Sequence, residues 1–108
     1  MSELHRIRLE GHWQRTAVET RTACIRSFGA PRTLPDGESA WLEGAGWPEL
    51  AEVTVNGLSI GVADSVFSFD ATAILKPRNS VEIAWIGHPE APVGSLALVI
   101  RGAAPSVS

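Results

Sequence analysis

The feature that most constrains this chain is an Asn-Gly pair at positions 56 and 57, which separates two runs of alternating apolar residues. Asn-Gly is the strongest short-range signal for a two-residue type I′ turn, because both central residues of that turn adopt positive φ. The sequence therefore predicts a β-hairpin over residues 51–62. In a regular hairpin with this turn, three apolar pairs face each other on one side: Val55 with Leu58, Val53 with Ile60, and Ala51 with Val62.

The rest of the chain must supply a core for this hairpin, because a two-stranded ribbon is at most marginally stable in water. Six further segments have the alternation or apolar character of strands: 5–14 with a bend or bulge at Gly11, 20–28, 39–43, 66–69, 81–85 and 96–100. Three segments rich in glycine or proline are predicted as loops: 29–38, 44–48 and 87–94. Because 96–100 is apolar on both faces, we expect it to be a central strand. Asp70 is placed to accept hydrogen bonds from the first backbone amides of a single helical turn, which Pro77 ends.

About eight short strands without helical periodicity predict an all-β fold, an antiparallel β-sandwich. A chain of 108 residues forms one domain. We assign residues 1–102 to the sandwich and expect 103–108 to be a flexible tail. The single Cys24 lies in an apolar run, where we expect a buried, reduced thiol. With no signal-peptide pattern and no apolar run near the ~20 residues of a membrane span, we expect a cytoplasmic protein without a membrane partner.

Charge and motifs exclude several functions. The chain has 9 basic and 12 acidic residues, a net charge of −3, and its arginines are scattered, which argues against the basic patch that nucleic-acid binding needs. The three histidines, His5, His12 and His88, have no metal-ligand spacing. No serine lies in a Gly-x-Ser-x-Gly elbow. We therefore expect a protein that is not an enzyme and has no cofactor or metal.

Binding of a carbohydrate needs an aromatic face for the sugar's C–H surface and polar groups for its hydroxyls. Trp13 and Trp85 share parity with apolar strand residues and are predicted in the core, whereas Trp41 is ambiguous. Trp47 lies in a predicted glycine-rich loop before Pro48, and it is the tryptophan that the sequence predicts to be exposed to solvent. A loop tryptophan can, however, also fold back over the core as a lid. Two residues of the Pro-rich loop, His88 and Glu90, complete the candidate site. Their side chains could bind sugar hydroxyls or a cation, or they could be solvated loop side chains.

Four stretches, in this order, resemble the N-terminal sugar-binding domain of family 2 glycoside hydrolases: 9–14, 25–31, 53–61, and 69–75 followed by 78–83. The resemblance implies a galactose-binding-like jelly roll and an association with carbohydrate. It does not imply catalysis, because in that family the catalytic carboxylates lie on a separate barrel of ~250 residues. Such domains sometimes hold a structural calcium ion, to which Asp64 or Asp70 could contribute, although capping already explains Asp70.

The leading hypothesis is a non-catalytic carbohydrate-binding module with its site near Trp47, His88 and Glu90. A second hypothesis is a protein-interaction or assembly module that keeps the scaffold without a sugar site, and it predicts an exposed apolar patch or a homo-oligomer. A third is a subunit that docks onto a separate hydrolase chain.

Overall fold

A computed structural model of the protein describes residues 2–30, 34–87 and 89–102, with only the backbone described at Ser2 and Asp64. The expected C-terminal tail, 103–108, and the site candidate His88 lie outside the described residues.

The described residues contain seven β-strands and no helix: β1 (Ser2–Arg8), β2 (Gln14–Val18), β3 (Arg21–Gly29), β4 (Ser39–Val55), β5 (Leu58–Asp70), β6 (Arg78–Ile86) and β7 (Ser95–Gly102). Every pairing is antiparallel. The predicted all-β, antiparallel sandwich-type fold is confirmed.

The long strand β4 organises the fold because its two halves pair with different neighbours. One edge of β4 pairs with β5 along most of its length. The other edge pairs with β7 over residues 39–45 and with β6 over residues 52–55. The sheet therefore curls into two layers. We call β1, β7, the first half of β4 and the second half of β5 the first layer, and β2, β3, β6 and the remaining halves of β4 and β5 the second layer.

Residues 44–48, predicted as a loop, instead lie inside β4, so this prediction is wrong. The chain stays extended because β5 pairs with it along one edge. The irregular residues are accommodated by shifts in the pairing register between Ala45 and Ala51. Pro48 is tolerated because residues 46–51 fall between the β7 and β6 pairings on the other edge of β4. Gly46 and Leu50 both adopt positive φ there. The bend of β4 carries the chain from the first layer to the second.

The turn between β4 and β5 is the one that Asn-Gly predicts. Asn56 and Gly57 have φ values of 52° and 83°, and Val55 pairs with Leu58. The regular register continues through Thr54 and Ser59, but beyond them the predicted register is wrong, since Val53 pairs with Gly61 and Ala51 with Ala63.

A bulge at Ile60 explains the wrong register. One extra residue in β5 reverses the side on which every later side chain lies, so Ala63 is fully buried and Val62 is 54% exposed. The ring of Phe69 occupies the space that a Cβ of Gly61 would need, so the glycine permits this close contact.

One hydrophobic cluster fills the space between the layers. Leu42 and Leu98 contribute to it from the first layer, and Val53, Val81 and Ile83 contribute from the second. All five residues 96–100 are buried, and β7 lies between β1 and β4, which confirms its prediction as a central strand.

Two asparagines tie the hairpin turn to the segment that follows β5. Asn56 Nδ2 donates to Asn79 Oδ1 and to the carbonyl of Ile74, both at 2.9 Å. Asn79 is buried, and it also bonds the backbone of Lys76 in both directions. The predicted capping by Asp70 is confirmed, because its Oδ1 accepts from Thr72 N at 2.9 Å. What it caps is a turn over 72–74 and not a helix.

Candidate ligand-binding grooves

Trp47 lies at the bend of β4 and is 2% exposed, so the expectation of a displayed indole is wrong. Its Nε1 donates to the Ser95 carbonyl at 2.7 Å, and its ring centroid lies 5.3 Å from that of Trp13 and 6.2 Å from that of Trp85. A Cβ on Gly94 would lie 2.8 Å from the indole. The indole is buried because the bent strand carries it under the β6–β7 loop, where Gly94 allows close approach.

The other tryptophans lie in three environments. Trp85 is buried in the core, as predicted. Trp13 is half-buried and packs against the core. Trp41 is half-buried on the outer face of the first layer, where its Nε1 donates to Ser39 Oγ at 2.8 Å and the Arg101 guanidinium lies 4.6 Å from its ring centroid.

The predicted site region forms an apolar groove of about 670 Å³, which we call the bend groove. It is lined by the bend of β4, the end of β6 and part of the next loop: Gly46, Trp47, Pro48, Glu49, Leu50, Ile86, Glu90, Ala91 and Pro92. The structure thus brings Trp47 and the exposed Glu90 to one groove. Leu50 and Ile86 are large apolar residues of this lining that are exposed, at 78% and 69%.

A second groove of about 790 Å³, the charged groove, lies on the outer face of the first layer. Strand register places Arg8, Ala97, Glu43 and Ser68 in one row across four strands. Ala97 in this row, and Ser95 and Ala45 in the next row, have small side chains and leave a hollow beside the larger charged ones. The groove is lined by Arg6, Arg8, Glu10, Glu43, Gly44, Ala45, Val66, Phe67, Ser68, Ser95, Leu96 and Ala97.

An ion-pair network holds one side of the charged groove. Arg6 Nη2 lies 2.8 Å from Glu3 Oε1 and 3.0 Å from Glu43 Oε1, and Arg101 bonds the other oxygen of Glu43. The hydrogen bonds that Arg6 donates to Glu3 and to Glu43 raise the pKa of Arg6, and the bond to Glu3 lowers the pKa of that exposed carboxyl. Arg8 is held loosely, since its side chain is 75% exposed and lies 3.9 Å from Glu10.

A third groove, of about 570 Å³, continues the charged groove toward Trp13 and shares Glu10 and Ser95 with it. His12, at φ 59°, and the half-buried Trp13 also line it. Among the described residues, the Trp13 indole N–H is the one buried side-chain donor without a hydrogen-bond partner. We call the charged groove and this extension together the long groove.

Sequence reasoning missed the long groove, although one signal was present. Arg6, Arg8 and Glu10 occupy the polar parity of the first predicted strand, which usually indicates a solvated face. That this face is hollow depends on Ala97 and Ala45, which reach it from strands far away in sequence.

In the described part of the chain, His, Cys, Asp and Glu form no group of three or more that could hold a metal ion. Nor does this part contain any helix with the length and apolar character needed to cross a bilayer.

The fold and the grooves together define an antiparallel β-sandwich-type protein with a polar groove on one layer and an apolar surface on the other. No protein-family model matches the chain, and a search of curated proteins finds none with significant similarity.

Proposed function

We propose that the protein is a non-catalytic carbohydrate-binding module, related to the sugar-binding domains of family 2 glycoside hydrolases, and that the long groove holds the ligand. The observation that carries this proposal is the continuity of the groove. Charged and hydroxyl groups run along it from Arg8 and Ser68 to Glu10 and Ser95, and a half-buried indole, Trp13, lies at its end.

The chemistry of these groups suits a polyhydroxylated ligand. A sugar hydroxyl both donates and accepts hydrogen bonds, and the groove offers carboxylates that accept, guanidiniums that donate and serines that do both. Because Arg6 and Arg101 already hold Glu43, this carboxylate loses little freedom when a ligand binds. The Trp13 ring supplies apolar surface for the C–H face of a sugar.

The same contacts support a binding role without catalysis. Glycoside hydrolysis needs one carboxylic acid to protonate the leaving group and a second carboxylate as nucleophile or base. Each oxygen of Glu43 accepts a hydrogen bond from an arginine, so this carboxylate is engaged in binding its neighbours. The proposal therefore assigns Glu43 to ligand orientation.

Titration with a panel of mono- and oligosaccharides, followed by amide chemical shifts and tryptophan fluorescence, tests the proposal. We expect one class of sugar to shift the amides of β1, β4 and β7 around the long groove. Arg8→Ala should weaken that binding about tenfold, the value of one hydrogen bond to a charged group. Arg78→Ala changes an exposed arginine outside this groove and is the matched control. If no sugar perturbs the protein at about 10 mM, a very weak affinity, the proposal fails.

A second candidate function is a protein-interaction or assembly module without a sugar site. It is favoured by the large apolar side chains exposed on the second layer, among them Val18, Leu50 and Ile86, because contiguous exposed apolar surface marks interaction sites. Sugar titration and measurement of oligomeric state separate the two candidates, since the long groove and this surface lie on different layers.

A further inference from the structure

The hairpin turn contains an amide that is prone to spontaneous chemistry, because Asn56 precedes Gly57. In an Asn-Gly pair the backbone nitrogen of the glycine can attack the asparagine Cγ, since glycine has no side chain to obstruct the approach. The N–Cγ bond forms, the Cγ–Nδ2 bond breaks and Nδ2 leaves as ammonia. The product is a cyclic succinimide, which one water molecule opens to aspartate or isoaspartate. The net reaction consumes water and releases ammonia, with no oxidation or reduction.

The backbone of this pair is open to water. Gly57 is exposed, and no atom lies within 4 Å of the position that a Cβ on it would take. Asn56 itself is half-buried. Crowding around Gly57 therefore does not prevent the reaction, and any protection depends on how the Asn56 side chain is held.

Both ends of the Asn56 amide are held by residues 74–80. Nδ2 donates to the Ile74 carbonyl and to Asn79 Oδ1, both at 2.9 Å, and Oδ1 accepts from Ser80 N at 3.0 Å. The backbone nitrogen of Asn56 also donates to the Ser80 carbonyl, at 2.9 Å. Ring closure moves Cγ toward the Gly57 nitrogen and makes it tetrahedral. The three side-chain bonds oppose that movement.

We propose that Asn56 is a deamidation site that its contacts with residues 74–80 protect in the folded protein and that reacts when the turn separates from them. Three hydrogen bonds of ordinary net strength leave the amide free in only about one molecule in a hundred. The rate of deamidation therefore reports how often this end of the hairpin opens. The long groove takes no part in the reaction, so the inference does not depend on sugar binding.

The deamidated turn cannot restore the original contacts. Aspartate has an oxygen in place of Nδ2, so an oxygen would face the Ile74 carbonyl and Asn79 Oδ1 without a proton between them. Asn79 cannot turn its amide over to compensate, because its Oδ1 accepts from Lys76 N and its Nδ2 donates to the Lys76 carbonyl. Isoaspartate lengthens the backbone within the two-residue turn. An opening that ends in deamidation is thus irreversible.

Peptide mass spectrometry of the full chain, incubated in mildly alkaline buffer with and without guanidinium chloride, tests the inference. The replacement of NH2 by OH is followed over time, and fragment spectra separate Asn56 from Asn79, the only other asparagine. We expect Asn56 to deamidate about a hundredfold more slowly in the folded protein than in denaturant. A folded-state rate within about tenfold of the denatured rate overturns the inference, as does an Asn56 that stays intact in denaturant.

Asn79→Ala tests the contact itself, since it removes the acceptor of one Nδ2 bond. It should accelerate deamidation of the folded protein roughly tenfold. Gly94→Ala is the matched control, because it perturbs the packing of Trp47 and leaves the asparagine contacts in place, so its rate should equal that of the unaltered protein. Equal acceleration by both variants would assign the reaction to global unfolding and contradict the inference. If Asn79→Ala does not fold, the comparison in denaturant still decides.

Asn56→Asp, which is the aspartate product, tests irreversibility. It removes both Nδ2 bonds, so we expect its urea midpoint to fall by about 1 M or more. An unchanged midpoint would show that the turn accepts the product, and this part of the inference would then be wrong.

Discussion

Replacement of Asn79 by alanine tests how the hairpin turn is fixed to the rest of the sandwich. Asn79 is 4% exposed. Its side chain donates to the Lys76 carbonyl at 2.7 Å, accepts from Lys76 N at 2.8 Å and accepts from Asn56 Nδ2 at 2.9 Å. Alanine removes these three bonds and a longer one, at 3.5 Å, from Asn79 Nδ2 to the Phe28 carbonyl. At a net value of about 1 kcal/mol for each of the three shorter bonds, we expect the free energy of unfolding to fall by about 3 kcal/mol.

Urea unfolding followed by circular dichroism and tryptophan fluorescence measures this loss. With an m value of about 1.5 kcal/mol/M, a loss of about 3 kcal/mol lowers the midpoint by about 2 M. Gln14→Ala removes an exposed amide on the edge strand β2 and should change stability by less than about 0.5 kcal/mol. If Asn79→Ala shifts the midpoint by no more than Gln14→Ala, the asparagine pair does not stabilise the turn and the reasoning fails.

Three further predictions concern backbone conformation, packing and the thiol. Gly57→Val should destabilise the fold by about 1–3 kcal/mol, since φ is positive there although a Cβ meets no atom within 4 Å; an unchanged melting temperature would contradict this. Gly94→Ala should cost about 1–3 kcal/mol by overpacking against the Ala45 carbonyl and Trp47, whereas Gly29→Ala, whose nearest Cβ contact is 3.7 Å, should not. Burial raises the pKa of the Cys24 thiol. The native protein therefore holds the thiol proton more tightly than the unfolded chain, so this contribution to stability is lost as pH rises above the ordinary thiol pKa of 9.0. A thiol-specific reagent should label Cys24 quickly only in urea, and fast labelling of the native protein would refute the assignment.

Several elements could be predicted because their signals are local. The type I′ turn follows from the conformational tolerance of Asn56 and Gly57. The central position of β7 follows from residues 96–100, which are apolar on both faces. Asp70 caps a turn because its carboxylate reaches an amide only two residues away. These outcomes depend on neighbours in sequence, so no knowledge of the tertiary contacts was needed.

The position of Trp47 could not be predicted, because its burial depends on residues distant in sequence. A glycine-rich stretch followed by proline normally indicates a loop. Here β5 pairs with the first half of β4 and again beyond its bend, and the Ser95 carbonyl accepts the indole N–H. Trp47 therefore became part of the core, whereas Glu90 stayed exposed in the bend groove beside Leu50 and Ile86.

The sequence by itself determined an antiparallel β fold, a hairpin turn at 56–57 and a covered final strand, because turn propensity and alternation act over a few residues. Tertiary structure alone decided the bulge at Ile60, which exchanged the buried and exposed sides of β5. It also decided where the grooves lie, since a hollow forms where small residues on one strand lie next to larger residues on neighbouring strands. Pairing between distant strands sets that arrangement, and a one-residue change in register reverses it.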